Sequence, residues 1–486
     1  MIFGLYGSIL NGQTAVESLR YTELFPSGTA RNVGVGGAMG SLGGDFGALS
    51  NNPAGLGVYR KSEFVISPAL FFASIDSELN GGDGTRARNT HFGLENIGLV
   101  FYKGYKKKKL KSFNFAAGVN RLVNFNRDLE YRGSTGGSIV NSFVDDSQGL
   151  FEADLDPFGG AIALDANAIF SLSDDEYGSD FIDQDGFLFF DPIDREEIIT
   201  TTGGISELLI AVGFNISDKL YLGGAVNVPI VRFEETREYT ESDEANDVIP
   251  LFRDLTFRQT LSTTGVGIGF KAGAIYRITN QIRLGASIHT PQRISLSDDF
   301  TTSLNYVLIE DGILNSGDGE SPVGSFDYAI TTPWRYSGGA SLVLRKFGFI
   351  SLDVEFLDYA ASSFDLSVDG ENSINQVAED NLNNEVSNDF DSALNLRIGA
   401  EYLIKKFRLR VGYGRYGNPF DTDDSGRNVI SLGAGYRGKS VYFDLAFSTN
   451  DSNEAYTPYD TFVDEQQLII SDIRNNNFLF TFGYRF

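Results

Sequence analysis

The end of the chain alternates strictly between aromatic residues and small or polar ones. One face of this segment carries Phe478, Phe480, Phe482, Tyr484 and Phe486, and the other carries Asn477, Leu479, Thr481, Gly483 and Arg485. A repeat of two residues indicates a β-strand, because successive side chains point to opposite faces of a sheet. A terminal strand with an aromatic face that closes on Phe486 is typical of transmembrane β-barrels. We therefore interpret Phe486 as a C-terminal barrel signal.

The same alternation recurs along most of the chain. Candidate strands lie near residues 63–73, 91–103, 112–125, 207–217, 219–236, 258–277, 282–297, 334–345, 347–361, 392–404, 406–414, 427–437, 440–449 and 476–486. Each reaches the roughly 9–11 residues that a tilted strand needs to cross a bilayer. Their number is even, as in single-chain bacterial barrels. The sequence therefore predicts an all-β fold, a transmembrane antiparallel β-barrel of about 14 strands.

Several predicted strands have one apolar face and one charged face. The charged faces carry Asp353, Glu355, Arg397, Glu401, Arg408, Arg410, Asp444 and Arg485. A membrane barrel with a wet lumen needs apolar residues towards lipid and accepts charged residues inside. We therefore expect these side chains to face the lumen and to form cross-strand ion pairs that rigidify it. A ring of charges that selects ions is the functional alternative.

The links between strands alternate in length and charge. Every second link is tight and mostly basic, including 103–111, 345–346 and 405–406. The intervening links are long and acidic, and the largest is 126–206. Short periplasmic turns alternating with long outer loops are the usual arrangement in membrane barrels. We therefore place the basic links in the periplasm and the acidic loops on the extracellular side.

Composition argues against several functional classes. The chain has 39 Lys and Arg against 65 Asp and Glu, a net charge of −26, whereas nucleic-acid binding needs clustered positive charge. It has no Cys and therefore neither a disulfide framework nor a cysteine nucleophile. Its two His, His91 and His289, argue against a histidine-rich metal centre and against haem ligation. Because no nucleophile and base can be assembled around either His, we expect no enzymatic activity.

The first sixty or so residues do not follow the strand pattern. Residues 1–13 resemble the end of a secretory signal, with a short apolar run but no basic residues before it. Residues 14–62 are rich in Gly and too long for an ordinary connection, so they either fold inside the lumen or hang in the periplasm. Small residues allow close backbone approach and favour the lumen. Residues 63–486 then form the barrel.

Motifs within residues 28–62 carry a resemblance to a known family. They are Gly28-Thr29-Ala30-Arg31, Gly36-Gly37-Ala38, Asp45-Phe46-Gly47-Ala48-Leu49-Ser50 and Asn52-Pro53-Ala54-Gly55-Leu56. With these motifs the sequence resembles the FadL-type outer-membrane transporters of hydrophobic compounds, more closely their Bacteroidetes-like branch. The resemblance implies a fourteen-strand barrel closed by an N-terminal lumenal hatch, with Asn52, Pro53 and Ala54 as hatch residues.

The resemblance also implies a function. Members of the family take up long-chain fatty acids or other hydrophobic small molecules by passive diffusion, and a kinked third strand opens a lateral route into the membrane. No Pro interrupts residues 113–125, and Gly118 alone is weak evidence for a bulge, so the kink is not legible in the sequence. We expect a hatch-gated channel without a cofactor in the outer membrane of a Gram-negative bacterium. Its expected partners are membrane lipid, lipopolysaccharide and a hydrophobic ligand.

The acidic loops allow two other interpretations. Asp421, Asp423 and Asp424 precede Gly426 like part of a calcium loop, but they lack the Glu that completes an EF-hand. Solvated surface is the expectation there, and structural Ca²⁺ in the outer loops is the alternative. Loop 126–206 carries several aromatic residues among its acids, which suits docking of a partner; they are Phe151, Phe158, Phe187, Phe189 and Phe190. The alternative function is a non-transporting accessory subunit of a larger outer-membrane secretion or barrel-assembly complex.

Overall fold

A computed structural model describes residues 14–106, 109–182, 188–189, 191–243, 248–369, 373–420, 426–459 and 466–486. The expected signal remnant at residues 1–13 lies outside the described residues, and so do Asp421, Asp423 and Asp424. Strands predominate in the described part of the chain. None of the helices described there is both long enough and apolar enough to cross a membrane.

Fourteen strands form a closed antiparallel barrel. They are β1 (Glu63–Leu79), β2 (Thr85–Gly104), β3 (Leu110–Asn124), β4 (Ile193–Ile216), β5 (Leu220–Ser242), β6 (Phe252–Arg277), β7 (Ile282–His289), β8 (Arg335–Val343), β9 (Gly348–Asp358), β10 (Ser392–Ile404), β11 (Phe407–Tyr416), β12 (Arg427–Arg437), β13 (Val441–Tyr456) and β14 (Ile469–Arg485). Each strand pairs with the next in the chain. The barrel closes where β14 pairs with β1, with Glu63 opposite Arg485. The prediction of a fourteen-strand barrel is confirmed.

The strands direct their apolar faces outward. On β14, Phe478, Phe480 and Tyr484 are 49%, 39% and 45% exposed, whereas Leu479 and Thr481 between them are buried. Outward side chains of a membrane barrel meet hydrocarbon. The aromatic face of the last strand is therefore the lipid-facing one.

The segment formed by residues 14–62, called here the N-terminal segment, lies inside the barrel. It contains the helices α1 (Glu17–Thr22) and α2 (Ala30–Gly34) and the 3-10 turns Gly47–Ser50 and Pro53–Val58. Hydrogen bonds join it to distant parts of the wall. Asn114 Nδ2 of β3 donates to Leu56 O at 2.6 Å, and Asp353 of β9 accepts from Gly40 N–H at 2.6 Å. The inward faces of the strands are thus packed against this segment.

The links at one end of the barrel are tight turns. Residues 217–219 join β4 to β5, and residues 405–406 join β10 to β11. The predicted strand 282–297 is wrong in one respect. β7 ends at His289 and a separate strand, Arg293–Glu310, follows Pro291. Proline interrupts a ladder because it has no N–H to donate.

At the other end the wall continues into additional strands. They are Arg127–Thr135, Arg293–Glu310, Ile313–Glu320, Gly324–Thr331 and Ser363–Asp365, with a small separate hairpin formed by Phe170–Ser171 and Tyr177–Gly178. β1 and β2 also extend further than expected, and only residues 80–84 separate them. The expectation of a long link there is wrong, because the ladder continues up to Ser77 opposite Thr85.

The described residues of the longest loop, between β3 and β4, are called here the lid, and they share an apolar core with the barrel strands. The lid contains α3 (Ile139–Ser147), the 3-10 turn Glu152–Asp154 and α4 (Gly160–Asp165). Ser138 caps α3 by accepting from Val140 N–H at 3.1 Å, a favoured arrangement at a helix start. Phe143 and Ile162 are buried in one cluster with Phe257 of β6. A second loop, between β9 and β10, carries the 3-10 turns Tyr359–Ala361 and Ser367–Asp369 and helix α5 (Ser373–Asp389).

Candidate functional site

Asn52-Pro53-Ala54 forms a fixed turn against the barrel wall. The Asn52 Oδ1 accepts from Ala54 N–H at 3.0 Å, and Pro53 takes the first position of the turn, where a missing N–H is harmless. The Asn52 Nδ2 donates to Gly40 O at 2.7 Å and to Ala286 O of β7 at 3.3 Å. Asn52 is buried. Its side chain therefore ties two parts of the N-terminal segment to each other and to the wall.

A buried polar cluster holds the residues just before this motif. Lys271 of β6 donates to Ser50 O at 3.0 Å and forms an ion pair with Glu207 of β4. The Glu207 carboxylate also accepts from Ser50 Oγ at 2.5 Å. The His289 Nε2 lies 2.9 Å from Asn51 O, so this histidine contacts the backbone of the N-terminal segment. The cluster anchors the segment through both its backbone and its side chains.

Three of the predicted lumen charges form one network with α2. Arg410 lies 2.7 Å from Glu401 and 2.8 Å from Asp444. Arg31 of α2 lies 3.5 Å from Glu401, and Arg437 lies 3.0 Å from Asp444. The ion pairs therefore run along the wall and cross from the wall to the N-terminal segment.

Three other predicted charges form a second network. Glu355 lies 3.4 Å from Arg397 and 3.5 Å from Arg335. Asp353, on the same strand, accepts from Gly40 N–H. A Cβ on Gly40 would lie 2.9 Å from this carboxylate, so glycine permits the approach. Both networks contact the N-terminal segment.

The remaining predicted residues lie at the end of the barrel that carries the tight turns. Arg485 Nε lies 2.6 Å from Glu63, which joins the last strand to the first. Arg408 instead donates to the carbonyl oxygens of Lys405 and Phe407 at 3.3 and 3.0 Å, outside the two networks. Phe486 N–H donates to Ser62 O at 3.0 Å. No group of three or more His, Asp or Glu among the described residues could hold a metal ion.

Apolar side chains line the lumen on the side of the lid, and the start of the N-terminal segment packs among them; this lining, with α1 inside it, is called here the chamber. Ala15, Leu19 and Tyr21 belong to one buried cluster with wall residues of several strands; these are Ile205, Val231, Ile294, Leu296, Tyr328, Ile330 and Leu357. Glu17 and Arg20 of α1 form an ion pair of 3.3 Å within this chamber. Burial nevertheless raises the pKa of Glu17 to about 7. The chamber thus encloses α1 at an electrostatic cost.

The barrel wall is interrupted beside this chamber. β2 pairs with β3 only from Gly104 opposite Ser112 to Asn96 opposite Asn120, although β2 itself extends back to Thr85. No ladder pair of described residues joins the remaining part of β2 to β3 or to Arg127–Thr135. Leu122, Val123 and Phe125, at the end of β3, pack against the chamber cluster. The interruption therefore lies next to an apolar interior.

A β-bulge in β3 lies beside this interruption, and because bulges bend the strand that carries them, it is called here the kink. The ladder between β3 and β4 shifts register between Arg121 and Val123, so Leu122 is an extra residue. On β4, next to Gly204, which pairs with Asn124, Gly203 has a φ of +105°, and its carbonyl accepts from Arg121 Nη2 at 2.6 Å and from Phe125 N–H at 3.2 Å. A Cβ there would lie 2.1 Å from Arg232 O, so the conformation requires glycine.

Comparisons with known proteins agree with this geometry. No model of a protein family matches the sequence, and no curated protein matches it either. Among solved structures, the Pseudomonas putida toluene transporter TodX is similar with a TM-score of 0.53 and 13% identity, over 95% of this chain and 99% of TodX. A Pseudomonas aeruginosa FadL homologue is similar with a TM-score of 0.52 and 15% identity, over 95% and 99% of the two chains. This chain has the FadL-type fold.

Within the FadL-type fold, sequence reasoning missed two features. The clearest mark of the kink is Gly203-Gly204 on the neighbouring strand, whereas the sequence-based expectation considers only residues 113–125 of β3 itself. Gly118 serves a different purpose, because the Phe46 ring packs on Gly98 and Gly118, where a Cβ would lie 2.5 to 2.6 Å from it. The anchoring pair of Lys271 and Glu207 was also missed. A single charge on an otherwise apolar inward face, as at Glu207 between Ile205 and Leu209, was the available signal.

Proposed function

We propose that this barrel is an outer-membrane channel for passive uptake of hydrophobic small molecules, with the N-terminal segment as its hatch. The observation that carries the proposal is the apolar chamber beside the interrupted β2–β3 ladder. An apolar molecule has a lower free energy in such a chamber than in water, and its free energy in the bilayer is similarly low. Diffusion along this route needs neither a cofactor nor catalysis. The solved neighbours named above as a toluene transporter and a FadL homologue support the same class of cargo.

The contacts of the N-terminal segment support its role as a hatch. It is bonded to the wall through Asn52, Arg31 and Gly40, and α1 fills part of the chamber. Each contact is an ion pair, a hydrogen bond or a small packed surface rather than a continuous ladder. Movement of the segment would therefore break separate contacts while leaving the barrel strands paired.

The charges around α1 favour an uncharged cargo over a fatty-acid anion. Each guanidinium group named here already faces a carboxylate of the protein; the pairs are Arg20 with Glu17, Arg127 with Glu454, Arg237 with Glu235, Arg335 with Glu355 and Arg427 with Glu23. A bound carboxylate would have to compete with these partners and would also lose its hydration. Long-chain fatty acids stay the second class of cargo within the same proposal.

The lateral interruption supports an exit through the wall. Cargo leaving between β2 and the end of β3 would pass from the chamber to hydrocarbon without crossing the two charged networks. The route also avoids the tightly packed contact of Phe46 with Gly98 and Gly118. An apolar molecule thus needs no aqueous passage.

The proposal is tested by uptake in intact Gram-negative cells that lack a channel of this fold. Initial accumulation of a labelled neutral aromatic hydrocarbon and of a labelled long-chain fatty acid is measured with and without the barrel. We expect faster accumulation of the hydrocarbon when the barrel is present in the outer membrane, and little change for the fatty acid. Equal rates with and without the barrel for both compounds would reject the channel function.

A second candidate, an accessory subunit of a larger outer-membrane complex, is favoured by one observation. The lid exposes apolar side chains: Phe151 is 58%, Phe170 43% and Leu172 64% exposed. Exposed apolar patches of this kind mark interaction sites. Purification in mild detergent discriminates between the candidates. A stoichiometric complex with other envelope proteins, combined with no effect on uptake, would favour the subunit, whereas a lone barrel that supports uptake would favour the channel.

A further inference from the structure

The outer wall of the barrel carries an apolar groove of about 560 Å³. It crosses five neighbouring strands, β12, β13, β14, β1 and β2. Small residues form its floor, including Pro68, Gly433 and Ala434, and large ones form its sides, including Phe92, Phe447 and Phe478. A small centre surrounded by bulky side chains makes a concave surface on a wall that is otherwise convex.

The groove lies where the ladder around β1 is irregular. The pairing of β1 with β2 shifts register between Ser67 and Pro68, and the pairing with β14 stops at Ile66 and resumes at Ala69. Pro68 has no N–H to donate, so the interruption follows from the sequence. The Ser67 Oγ instead lies 2.7 Å from the Thr481 Oγ1.

Helix α2 supports the same stretch of wall from the inside. Ala30 and Val33 belong to a buried cluster with Ala69, Ala446 and Leu479, which also line the groove. A Cβ on Gly34 would lie 3.2 Å from the Gly433 Cα, so α2 rests almost directly on the backbone. The groove floor is therefore a single strand layer with α2 behind it, and an occupant cannot pass through it while α2 is in place.

The position of the groove defines what can occupy it. Its outward residues belong to the lipid-facing band: Leu70 is 42%, Leu445 56% and Phe478 49% exposed. Pro68 and Ala434 lie only a few residues from the tight turns, roughly 10–20 Å along tilted strands, which is within the hydrocarbon core. Water and polar ligands are therefore excluded.

A flexible chain fits the groove better than another protein surface. The wall of a second barrel is convex and would rest on the rim, leaving the floor without contacts and forfeiting dispersion energy. A volume of about 560 Å³ lies within the range of sites for single small ligands. We propose that the groove is a binding site for an acyl chain of one membrane lipid, independent of the transport function.

The test is native mass spectrometry of the full chain purified from outer membranes in mild detergent. We expect one lipid per barrel to survive extensive detergent exchange. Ala434→Phe fills the groove floor and should remove this lipid. Ala272→Phe is the matched control, because Ala272 is an exposed alanine on β6, outside the groove, and this variant should keep the lipid. Heat-modifiable migration in gels verifies that both variants are folded.

Three results would overturn the proposal. The first is that no lipid survives exchange from the wild type. The second is that Ala434→Phe and Ala272→Phe retain the lipid equally. The third is that another molecule occupies the groove. A second copy of this chain would be seen as a dimer that Ala434→Phe dissociates, and a free hydrocarbon would be seen in place of the lipid.

Discussion

At the scale of single residues, Arg410 is a buried charge that depends on two carboxylate partners. It is buried between Glu401 and Asp444, and removing one partner of such a group leaves uncompensated charges. We expect Arg410→Met to lower the free energy of unfolding by about 3–5 kcal/mol. Arg408, two residues earlier on the same strand, bonds only to backbone carbonyls of the turn. Arg408→Met should therefore change the free energy of unfolding by less than about 1 kcal/mol. Urea unfolding in lipid vesicles measures both, and equal losses would contradict the network.

Asn52 is expected to matter more than its neighbour Asn51. Asn52→Ala leaves Gly40 O and Ala286 O without this donor and removes the cap on Ala54, at a cost of about 1–3 kcal/mol. The Asn51 side chain makes only a 3.4 Å contact with Gly37 O, so Asn51→Ala is a suitable control. Limited proteolysis of the N-terminal segment is the measurement. We expect cleavage to accelerate for Asn52→Ala and to stay near the wild-type rate for Asn51→Ala; the reverse order would refute the anchoring role.

At the scale of elements, α1 should respond to pH through Glu17. Its pKa is raised from 4.5 to about 7 by burial, with Arg20 lowering it and Asp298 and Glu235 raising it further. Because the pKa of Glu17 is raised when α1 is docked, the free energy that favours docking is largest below about pH 4.5. It falls by about 3 kcal/mol in total as the pH rises towards 7. Proteolysis of the segment should therefore be faster at pH 8 than at pH 5. Glu17→Gln should abolish this difference, and a pH effect that persists in Glu17→Gln would come from another group.

A second prediction at this scale concerns the kink of β3. Deleting Leu122, the extra residue opposite β4, should give a continuous ladder and straighten the strand beside the interruption. We expect hydrocarbon uptake to fall to the level of cells without the barrel. The other register shift of β3, between Leu110 and Ser112, offers a control, since deleting Lys111 alters the same strand at its far end. If both deletions preserve uptake, the exit lies elsewhere.

The elements differ in how far the sequence could predict them. The strands could be predicted because buried and exposed side chains alternate every two residues in a half-buried strand. On β14, buried Leu479 and Thr481 alternate with exposed Phe478 and Phe480. The lid could not be predicted, because its helices are short and Phe143 packs against residues such as Phe257, more than a hundred residues away in the sequence. Anchors such as Lys271 with Glu207 likewise depend on which strands become neighbours of the N-terminal segment. Their identity requires the three-dimensional register.

At the scale of the whole molecule, the barrel and its contents are held by different forces. The wall is a ladder of fourteen strands, interrupted beside the end of β3, whose closure joins β14 to β1, and its outward face suits hydrocarbon. The interior contains separate contacts: two charged networks, the Asn52 turn and the apolar chamber around α1. Under the proposed function, this division would let the N-terminal segment move while the barrel stays closed. The proposed hatch depends on that difference.

The most direct measurement is uptake by a barrel whose N-terminal segment is tied to the wall. Because the chain has no Cys, Arg31→Cys with Glu401→Cys can be joined by a short bis-maleimide without background. Thr29→Cys with Asp45→Cys, a pair within the segment, is the control. We predict that the wall crosslink reduces hydrocarbon accumulation to the level of cells without the barrel, whereas the internal crosslink leaves it unchanged. Undiminished uptake through the wall-crosslinked barrel would contradict the hatch.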